Sequence, residues 1–594
     1  MKKLISKAAA VLALPLAFIS SGVMTSCADM LDTESELVQF ADDNKINAPE
    51  DSIFSVMGII RQMQIVADRT VLLGELRGDL VVTNDNATKD IKNLAAFNFS
   101  EDNKYNKISD FYAIINGCNF FIANADMNLK RLGKVVFERE MTAVKTYRAW
   151  TYLQLAKIYG TVPLVLDPVL TEEAAKREME KTPVGMQEIC QFFIDDIKDL
   201  VDAELPMYGS MDAYNSSQFF IPVRVLLGEL CLWASRYQES AKYFADYLTF
   251  KNHSVTTGIA SAYWYDNIDN FATATPGGSY EGIFNNSRAS EVITMIPMET
   301  TEYYGEVSQL PYIFNSYDNI NYGFTQVKPS KAMWDYSAAE DYCYVYTTKT
   351  GKDTIYVQKT GLQKDYYAGD LRFCQTYTYR PVNRDEFSKY NNEYQHIYKH
   401  NGMFVSLYRI QQVYLMFAEA LNRAGYPGTA MIILKCGLTN LNMERYLGKY
   451  SAEYQELKAD TIAEGETIMK VLDNSLKLNF NDDEFTEFNT QGIHSRGCGD
   501  AKADTLYCLP LPSTKMSHAD SVKYQVPLVE DMIMREMTLE KAFEGQRYYD
   551  LMRIALRRND PAYLAKPIAN RTGEENTALL NLLMDKQNWY LPRK

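Results

Sequence analysis

DMIMREMTLEKAFEGQRYYDLMRIALRR, residues 531 to 558, carries the clearest structural signal in this chain. Its apolar residues recur at spacings of three and four, which predicts an amphipathic helix or a helix pair broken near Gly545. Glu536, Glu540 and Glu544 stand four residues apart and therefore share one helix face. Like charges at that spacing repel by about 0.2–0.5 kcal/mol per pair, so we expect cations from elsewhere in the chain to meet them.

Charges of alternating sign follow the three glutamates. Arg547, Asp550 and Arg553 are three residues apart, so each can support the next. Two interpretations of this charge pattern are open. Two of the carboxylates could act as catalytic groups on one helix face, or the whole set could form a structural ion-pair network between helices, which we favour.

The same residues resemble a family motif. The pattern E-x3-E-x3-EG-x-R-x2-DL-x-R, from Glu536 to Arg553, resembles the C-terminal signature of the SusD/RagB family of outer-membrane nutrient-binding lipoproteins. Two positions depart from that signature, since Met537 stands where it usually has arginine and Lys541 where it usually has leucine. The resemblance implies a structural role for the charged residues.

Two further segments resemble motifs of this family. In YRAWTYLQLAKIYGTVPLV, residues 147–165, a helix is followed by Gly160 and Pro163, which stop it and prevent its resumption. The pattern R-x3-VYL-x2-AEALNRAG begins at Arg409, with Gln411 and Gln412 where relatives commonly have Ala-Glu. We expect the guanidinium of Arg148 to form an ion pair with a carboxylate such as that of Glu540 or Glu544. The predicted network comprises Arg148, Arg409, Glu419, Glu536, Glu540, Glu544, Arg547, Asp550 and Arg553.

Helix pairs of the tetratricopeptide type are indicated at two places. Gly228, Ser240 and Phe244 stand at the small, small and aromatic offsets of that repeat, which needs small residues where backbones approach. The same spacing recurs at Ala418, Leu421, Ala430 and Leu434. We therefore predict a mainly α protein, with a SusD-like fold built on tetratricopeptide-type helix pairs and carrying a long irregular, partly β insertion.

The N-terminus indicates export. Lys2, Lys3 and Lys7 precede a short apolar run, and small residues lead to Cys27, which is typical of a lipoprotein signal peptide over residues 1–26. Cleavage before Cys27 would leave it as the lipidated first residue, with 27–48 as an acylated tether; an ordinary secreted protein cut nearby is the alternative. Residues 49–594 are predicted to form a single SusD-like domain, and the resemblance implies an outer-membrane protein facing the outside of the cell.

Composition excludes several classes of function. Loss of the three signal-peptide lysines takes the formal charge from −15 to −18, so no basic face remains for nucleic acid. The cysteines show no metal-ligand spacing, and there is no HExxH, P-loop, G-x-S-x-G or strand-to-helix GxGxxG motif. We expect no metal, no cofactor and no catalytic residues. Cys498 and Cys508 flank a predicted hairpin and could form a disulfide in an oxidising compartment.

Residues 253–404 are predicted to be a long irregular insertion. Helical periodicity disappears there, tyrosine and asparagine become dense, and YCYVYTT and DTIYVQ alternate as the strands of a hairpin. The predicted first helix spans 49–66, and a loop rich in Asp and Asn follows from residue 72. Binding usually lies in such irregular segments on a rigid frame.

Flat aromatic rings and planar polar groups are what an uncharged, hydroxyl-rich ligand requires. We expect the two kinds of group to face each other across one rim. The ligand-binding candidates are Arg77, Asp79, Asn84, Asn86, Trp264, Tyr303, Tyr304, Tyr317 and Trp334, with Asp85, Tyr312 and Tyr322 beside them.

The resemblance implies a lipoprotein that binds oligosaccharide and hands it to a SusC-like TonB-dependent transporter, held to the membrane by its lipid alone. A peptide-binding protein of the RagB kind is the alternative, and a helical glycoside hydrolase is a second one. The sequence leaves the identity of the ligand open.

Overall fold

The described part of the chain covers most of the predicted domain. The computed structural model describes residues 46–48, 51–100, 102–211, 214–250, 262–265, 275–278, 280, 282–285, 291–299, 305–315, 325–347, 353–358, 370–379, 395–400, 402–438, 440–459, 461–462, 466–467, 492–499 and 507–593. The predicted signal peptide, Cys27 and residues 28–45 of the tether lie outside these residues.

Helices dominate the described residues, as the sequence predicts. The α-helices are Asp51–Glu75, Lys89–Ala95, Ile108–Asn124, Glu138–Tyr159, Glu172–Met179, Met186–Ile197, Val223–Trp233, Tyr237–Phe250, Gly282–Asn285, Leu310–Phe314, Lys331–Ala338, Leu371–Thr376, Ile410–Ala424, Pro427–Lys435, Asn440–Met443, Ala452–Ala459, Ser495–Cys498, His518–Glu540, Arg547–Arg558, Ala562–Ala569 and Thr577–Leu583.

The strands form small antiparallel pairs, each of two strands. The pairs are Val81–Thr83 with Val327–Pro329, Lys130–Arg131 with Lys134–Val135, Thr161–Val162 with Val184–Gly185, Ser210–Met211 with Tyr214–Asn215, Ala262–Tyr265 with Thr275–Gly278, Val292–Pro297 with Phe404–Arg409, Tyr342–Thr347 with Asp353–Gln358, Tyr377–Tyr379 with Gln395–Ile397, and Thr461–Ile462 with Glu466–Thr467. The predicted hairpin of YCYVYTT and DTIYVQ is therefore confirmed.

The predicted helix pair around Gly545 is present. One helix ends at Glu540, the next begins at Arg547, and Gly545 between them has φ +80°. Its carbonyl lies against Gly74 of the first helix, where an added Cβ would be 1.6 Å from the Gly545 oxygen. The first helix is longer than predicted, because its apolar face continues past residue 66 to Glu75 and packs against this turn.

Small residues allow close helix packing where the repeat-like spacing predicts it. A Cβ on Gly228 would come within 2.5 Å of the Phe244 ring, and Ser240 Oγ donates a hydrogen bond of 2.7 Å to the Gly228 carbonyl. The second pair, Ile410–Ala424 and Pro427–Lys435, buries Ala418, Leu421, Ala430 and Leu434. The predicted mainly α class is confirmed.

One hydrophobic core runs through the described helices, from Ile46 to Leu591, and Ile46–Lys594 forms one compact unit. The strand Val292–Pro297, inside the predicted insertion, pairs with Phe404–Arg409, which begins at the last residue of that insertion. No helix of the described residues combines the length and the apolar character that a membrane crossing requires.

Candidate functional site

The three glutamates of the C-terminal motif meet the cations that their spacing requires. Arg372 Nη1 lies 2.6 Å from Glu536 Oε1 and 3.0 Å from Glu540 Oε2. Arg409 lies 3.2 Å from Glu540 Oε1 and 2.8 Å from Glu544 Oε2. Glu536 and Glu540 are fully buried, so the arginines offset the large cost of burying their charges.

Two more cations complete this buried cluster. Lys399 Nζ lies 2.7 Å from Glu544 Oε1, and Arg496 Nη2 donates to both oxygens of Glu291 at 2.9 and 3.0 Å. Arg496 is also 3.9 Å from Glu540 Oε1. The cations come from segments far from the motif in sequence. The cluster therefore holds together parts of the chain that are distant in sequence.

Electrostatics keep these carboxylates ionised. Burial pushes the pKa of Glu536 upward, but Arg372 and His494 outweigh it and lower the pKa to about 2. Burial is likewise outweighed at Glu544, where Arg409 and Lys399 lower the pKa to about 2. Buried, ionised and paired, these groups hold helices together and are badly placed for proton transfer to a substrate.

The basic residues after the glutamates pair within the same frame. Arg553 Nε donates to Glu419 Oε1 at 3.0 Å, and its Nη2 donates to Asp550 Oδ1 at 2.9 Å. Lys541, which departs from the family pattern, lies 2.6 Å from Asp550 Oδ2 and so adds a cation that the usual leucine would lack.

The partner predicted for Arg148 is wrong. Its guanidinium lies 2.9 Å from Asp196 Oδ2 and donates to Asn119 Oδ1 at 3.0 Å, and it pairs with neither Glu540 nor Glu544. Asp196 is on the helix Met186–Ile197, which packs against the helix of Arg148, so this ion pair joins the two helices.

Two predicted ligand-binding residues, Arg77 and Asp79, are fully buried and cannot contact a surface ligand. Arg77 donates to the carbonyls of Leu73 at 2.6 Å and Trp589 at 2.9 Å. Asp79 accepts two hydrogen bonds from Arg547, at 2.6 and 2.8 Å. Both belong to the frame, because the chain after the first helix turns inward beneath the C-terminal helices.

The neighbouring residues do reach the surface. Asn84 forms an Asx turn, with its Oδ1 accepting from the Asn86 amide at 3.0 Å, and its Nδ2 donates to Thr325 Oγ1 at 3.2 Å. Asp85 and Asn86 are exposed. Asn84 therefore shapes the loop, while Asp85 and Asn86 present polar groups to solvent.

The loop and part of the insertion meet at one rim. Val81–Thr83 pairs with Val327–Pro329, and Gln326 Oε1 accepts from the Thr88 amide at 3.0 Å. The Gln326 amide donates to the Ile313 carbonyl at 2.8 Å, which fixes the short helix Leu310–Phe314 beside the loop. We define the rim as residues 84–88, 309–314 and 325–326.

Tyr312 is the exposed aromatic of the rim, with 47% of its surface accessible. The start of its helix is anchored to the first helix by Asp68, which accepts from Ser308 Oγ and the Gln309 amide, both at 2.6 Å. The side chain of Gln309 is exposed beside it. The rim thus presents an aromatic ring and planar amides on anchored backbone.

Among the other aromatic candidates, only Trp334 has a described side chain. Trp334 is half-buried and stands edge-on to Phe373, with ring centroids 4.8 Å apart, so it pins its helix to the core. Tyr303, Tyr304, Tyr317 and Tyr322 lie outside the described residues, as does the side chain of Trp264.

The sequence analysis missed a groove elsewhere on the surface. An open groove of about 760 Å³ is lined by Phe97, Asn98, Phe99, Tyr159, Gly160, Thr161, Lys586, Gln587, Asn588, Tyr590, Leu591, Pro592 and Arg593. We call it the C-terminal groove. The close pair Phe97 and Phe99 was a visible signal, but the residues of the opposite wall are almost 500 positions away in the sequence.

The cysteines at 498 and 508 do not form the disulfide considered above. Both are free; Cys498 is buried and Cys508 is exposed.

Comparison with solved structures identifies the fold. A SusD superfamily protein from Bacteroides vulgatus superposes with TM-score 0.54 at 14% identity, covering 92% of this chain and 96% of that one. Others from Bacteroides fragilis (17% identity, 92% and 96% covered) and Bacteroides thetaiotaomicron (15%, 92% and 95%) both give TM-score 0.51. No family model and no curated protein matches the chain. The chain therefore has the SusD-like fold.

Proposed function

We propose that this protein is a surface lipoprotein that binds oligosaccharide outside the cell and hands it to a SusC-like TonB-dependent transporter. The fold supports the general class, and the lipobox-like sequence at Cys27 supports lipid anchoring. The observation that carries the binding role is the rim, where an exposed tyrosine stands among anchored amide groups.

The chemistry of the rim fits a sugar. The apolar face of a pyranose ring packs on a flat aromatic ring such as Tyr312, and the amides of Asn86, Gln309 and Gln326 can both donate to and accept from hydroxyl groups. Because the helix of Tyr312 is tied to Asp68, little conformational freedom is lost when a ligand binds.

Hydrolysis of the bound sugar is not supported by the motif carboxylates. A glycoside hydrolase needs two carboxyl groups across the scissile bond, one of them with a raised pKa. Glu536 and Glu544 instead have pKa values lowered to about 2 and are held by arginine or lysine. We therefore favour capture and handover, which makes or breaks no covalent bond.

The direct test is calorimetric titration of the purified protein with a panel of neutral and acidic oligosaccharides and a peptide mixture, followed by product analysis. We expect one glycan class to bind without cleavage, and Tyr312→Ala to weaken binding at least about tenfold, or ~1.4 kcal/mol. Tyr450→Ala is the matched control, because Tyr450 is 90% exposed and lies outside the rim.

Other outcomes separate the alternatives. Unchanged binding in Tyr312→Ala together with loss in Tyr590→Ala would move the site to the C-terminal groove. A peptide signal without any glycan signal would favour the RagB-like role, and cleaved product would favour a hydrolase. Loss of the protein from the outer-membrane fraction in Cys27→Ser would test the lipid anchor, and copurification with a TonB-dependent transporter from native membranes would test the partner.

A further inference from the structure

Three potential metal ligands converge beneath the C-terminal motif. Glu340 lies just after the helix Lys331–Ala338, and His494 and Cys498 stand four residues apart on one short helical turn. One donor atom from each lies within 4.8 Å of the other two. All three residues are buried, with at most 1% of their surface accessible.

His494 is oriented by a second carboxylate. Its Nδ1 lies 2.9 Å from Glu536 Oε2, and because Glu536 is ionised it can only accept, so Nδ1 carries the proton of this hydrogen bond. Tyr507 stacks on the imidazole with centroids 3.7 Å apart and fixes the ring. This arrangement directs Nε2 toward Glu340, and a histidine held by a carboxylate in this way is the usual form of a metal-binding histidine.

Glu340 offers an oxygen that the described residues do not satisfy. Its Oε1 accepts from Arg535 Nε, whereas its buried Oε2 accepts no hydrogen bond from any described residue. His494 Nε2 is 3.8 Å from that oxygen, which is too long for a hydrogen bond. A buried carboxylate oxygen left in this state is costly unless a further group binds it.

Cys498 supplies the soft ligand. Its thiol donates a hydrogen bond to Asp370 Oδ2, 3.4 Å from the sulfur, in the interior of the cluster. A His, Cys and carboxylate set is typical of zinc, which tolerates nitrogen, sulfur and oxygen together.

We propose that Glu340, His494 and Cys498 bind one zinc ion or a similar divalent transition metal, with the fourth tetrahedral position open to water. Bond lengths near 2.0 Å to nitrogen and oxygen and 2.3 Å to sulfur place tetrahedral ligands about 3.3–3.5 Å apart. The observed separations of 3.8 to 4.8 Å need a contraction of about 0.5–1.5 Å, within reach of side-chain adjustment. On binding, a metal–sulfur bond replaces the S–H bond of Cys498, and the released proton passes to solvent.

Arg535 is the partly exposed side chain next to the site. Its side chain caps Glu340 and is 33% exposed, so a change of its rotamer would open the carboxylate to solvent. The ion would bridge the segment around residue 340 and the turn 494–498. Both segments contact the helix His518–Glu540, Glu340 through Arg535 and His494 through Glu536. A bound ion would therefore hold these two segments together.

The test uses the full chain purified through a tag that contains no histidine. Elemental analysis should find about one zinc ion per chain. Refolding with Co²⁺ should produce a thiolate-to-cobalt charge-transfer band in the near ultraviolet. Cys498→Ser should abolish the band, whereas Cys508→Ser, at the exposed free cysteine, should keep it.

A second measurement uses only the wild-type protein, so its result does not depend on whether Cys498→Ser folds. Anomalous scattering at the zinc edge from crystals of the wild-type protein should show a peak between the three side chains. Absence of that peak, together with no cobalt–thiolate band in the refolded wild type, would overturn the proposal. A band that persists in Cys498→Ser and disappears in Cys508→Ser would also overturn it, because the thiolate ligand would then be a different cysteine.

Discussion

Replacing Gly545 by alanine tests how the C-terminal motif packs on the first helix. Gly545 has φ +80°, and an added Cβ would lie 2.4 Å from Val71 Cα and 2.5 Å from the Thr70 carbonyl oxygen. These neighbours are backbone atoms of a buried helix and cannot move aside as a flexible side chain would. The substitution therefore forces the turn and the helix apart.

The expected cost has two separable parts. A left-handed backbone costs a residue with a Cβ about 1–2 kcal/mol, and overpacking a buried contact costs about 1–3 kcal/mol more. Separation would also strain the hydrogen bonds from the Phe543 and Gly545 amides to Glu75, which measure 3.2 and 3.0 Å. We expect Gly545→Ala to lower the free energy of unfolding by about 2–5 kcal/mol.

Gly133→Ala is the matched control, because Gly133 has φ +81° but no atom within 4 Å of its Cβ position. It should show the backbone cost alone, about 1–2 kcal/mol. Both variants and the wild type would be unfolded in urea and followed by tryptophan fluorescence. Equal losses in the two variants, within about 0.5 kcal/mol, would refute the packing argument.

Two further predictions concern buried charge. His400 Nε2 lies 2.7 Å from the Phe543 carbonyl oxygen, and burial lowers the pKa of His400 to about 4, below the unfolded value of about 6.5. Below pH 6.5 the unfolded state therefore binds more protons than the folded state. The stability that His400 contributes is complete above that pH and is lost as pH falls toward 4. Between pH 7 and pH 5 we expect the wild type to lose about 2 kcal/mol in urea unfolding relative to His400→Gln, which keeps a donor but does not titrate. Asp79→Asn would leave Arg547 buried without its charge partner and should cost about 3–5 kcal/mol in the same assay at pH 7.

Each of these has a contradicting outcome. Parallel pH profiles for wild type and His400→Gln would mean that another group dominates this pH window. For the aspartate, Asp335→Asn removes a carboxylate whose partner Lys331 is exposed, so it should change stability by less than about 1 kcal/mol. An equally small effect of Asp79→Asn would show that the Arg547 charge is solvated in solution.

Local patterns predicted the helical frame and the demand for ion pairs, because both depend on residues within a few turns of each other. The break near Gly545 and the close contact of Gly228 with Phe244 follow from spacing and residue size alone. The identity of the partners does not follow. Arg372 and Lys399 lie in a segment without periodicity, so nothing in the sequence indicates that they meet Glu540 or Glu544.

Arg77 shows why polar composition mispredicts a site. It stands among glycine, aspartate and asparagine, which suggests an exposed loop, yet its guanidinium is stacked 4.2 Å from the Tyr548 ring centroid and satisfied by backbone carbonyls. A long cationic side chain can be buried wherever acceptors converge, and convergence is a property of the tertiary structure. The sequence analysis did not predict the cluster of Glu340, His494 and Cys498 for the same reason, since Glu340 lies more than 150 positions before the other two residues.

The pairing of the glutamates explains how an irregular insertion is held in place. Arg372 and Lys399 come from within the predicted insertion, and Arg409 follows its end, so the helix face carrying the three glutamates binds that segment at several points. An uncompensated buried carboxylate would cost about 3–5 kcal/mol, so arrangements that leave out one of these cations are strongly disfavoured. The segment of Tyr312 precedes these anchors and is held separately, because Ser308 and Gln309 at the start of its helix bond to Asp68 of the first helix.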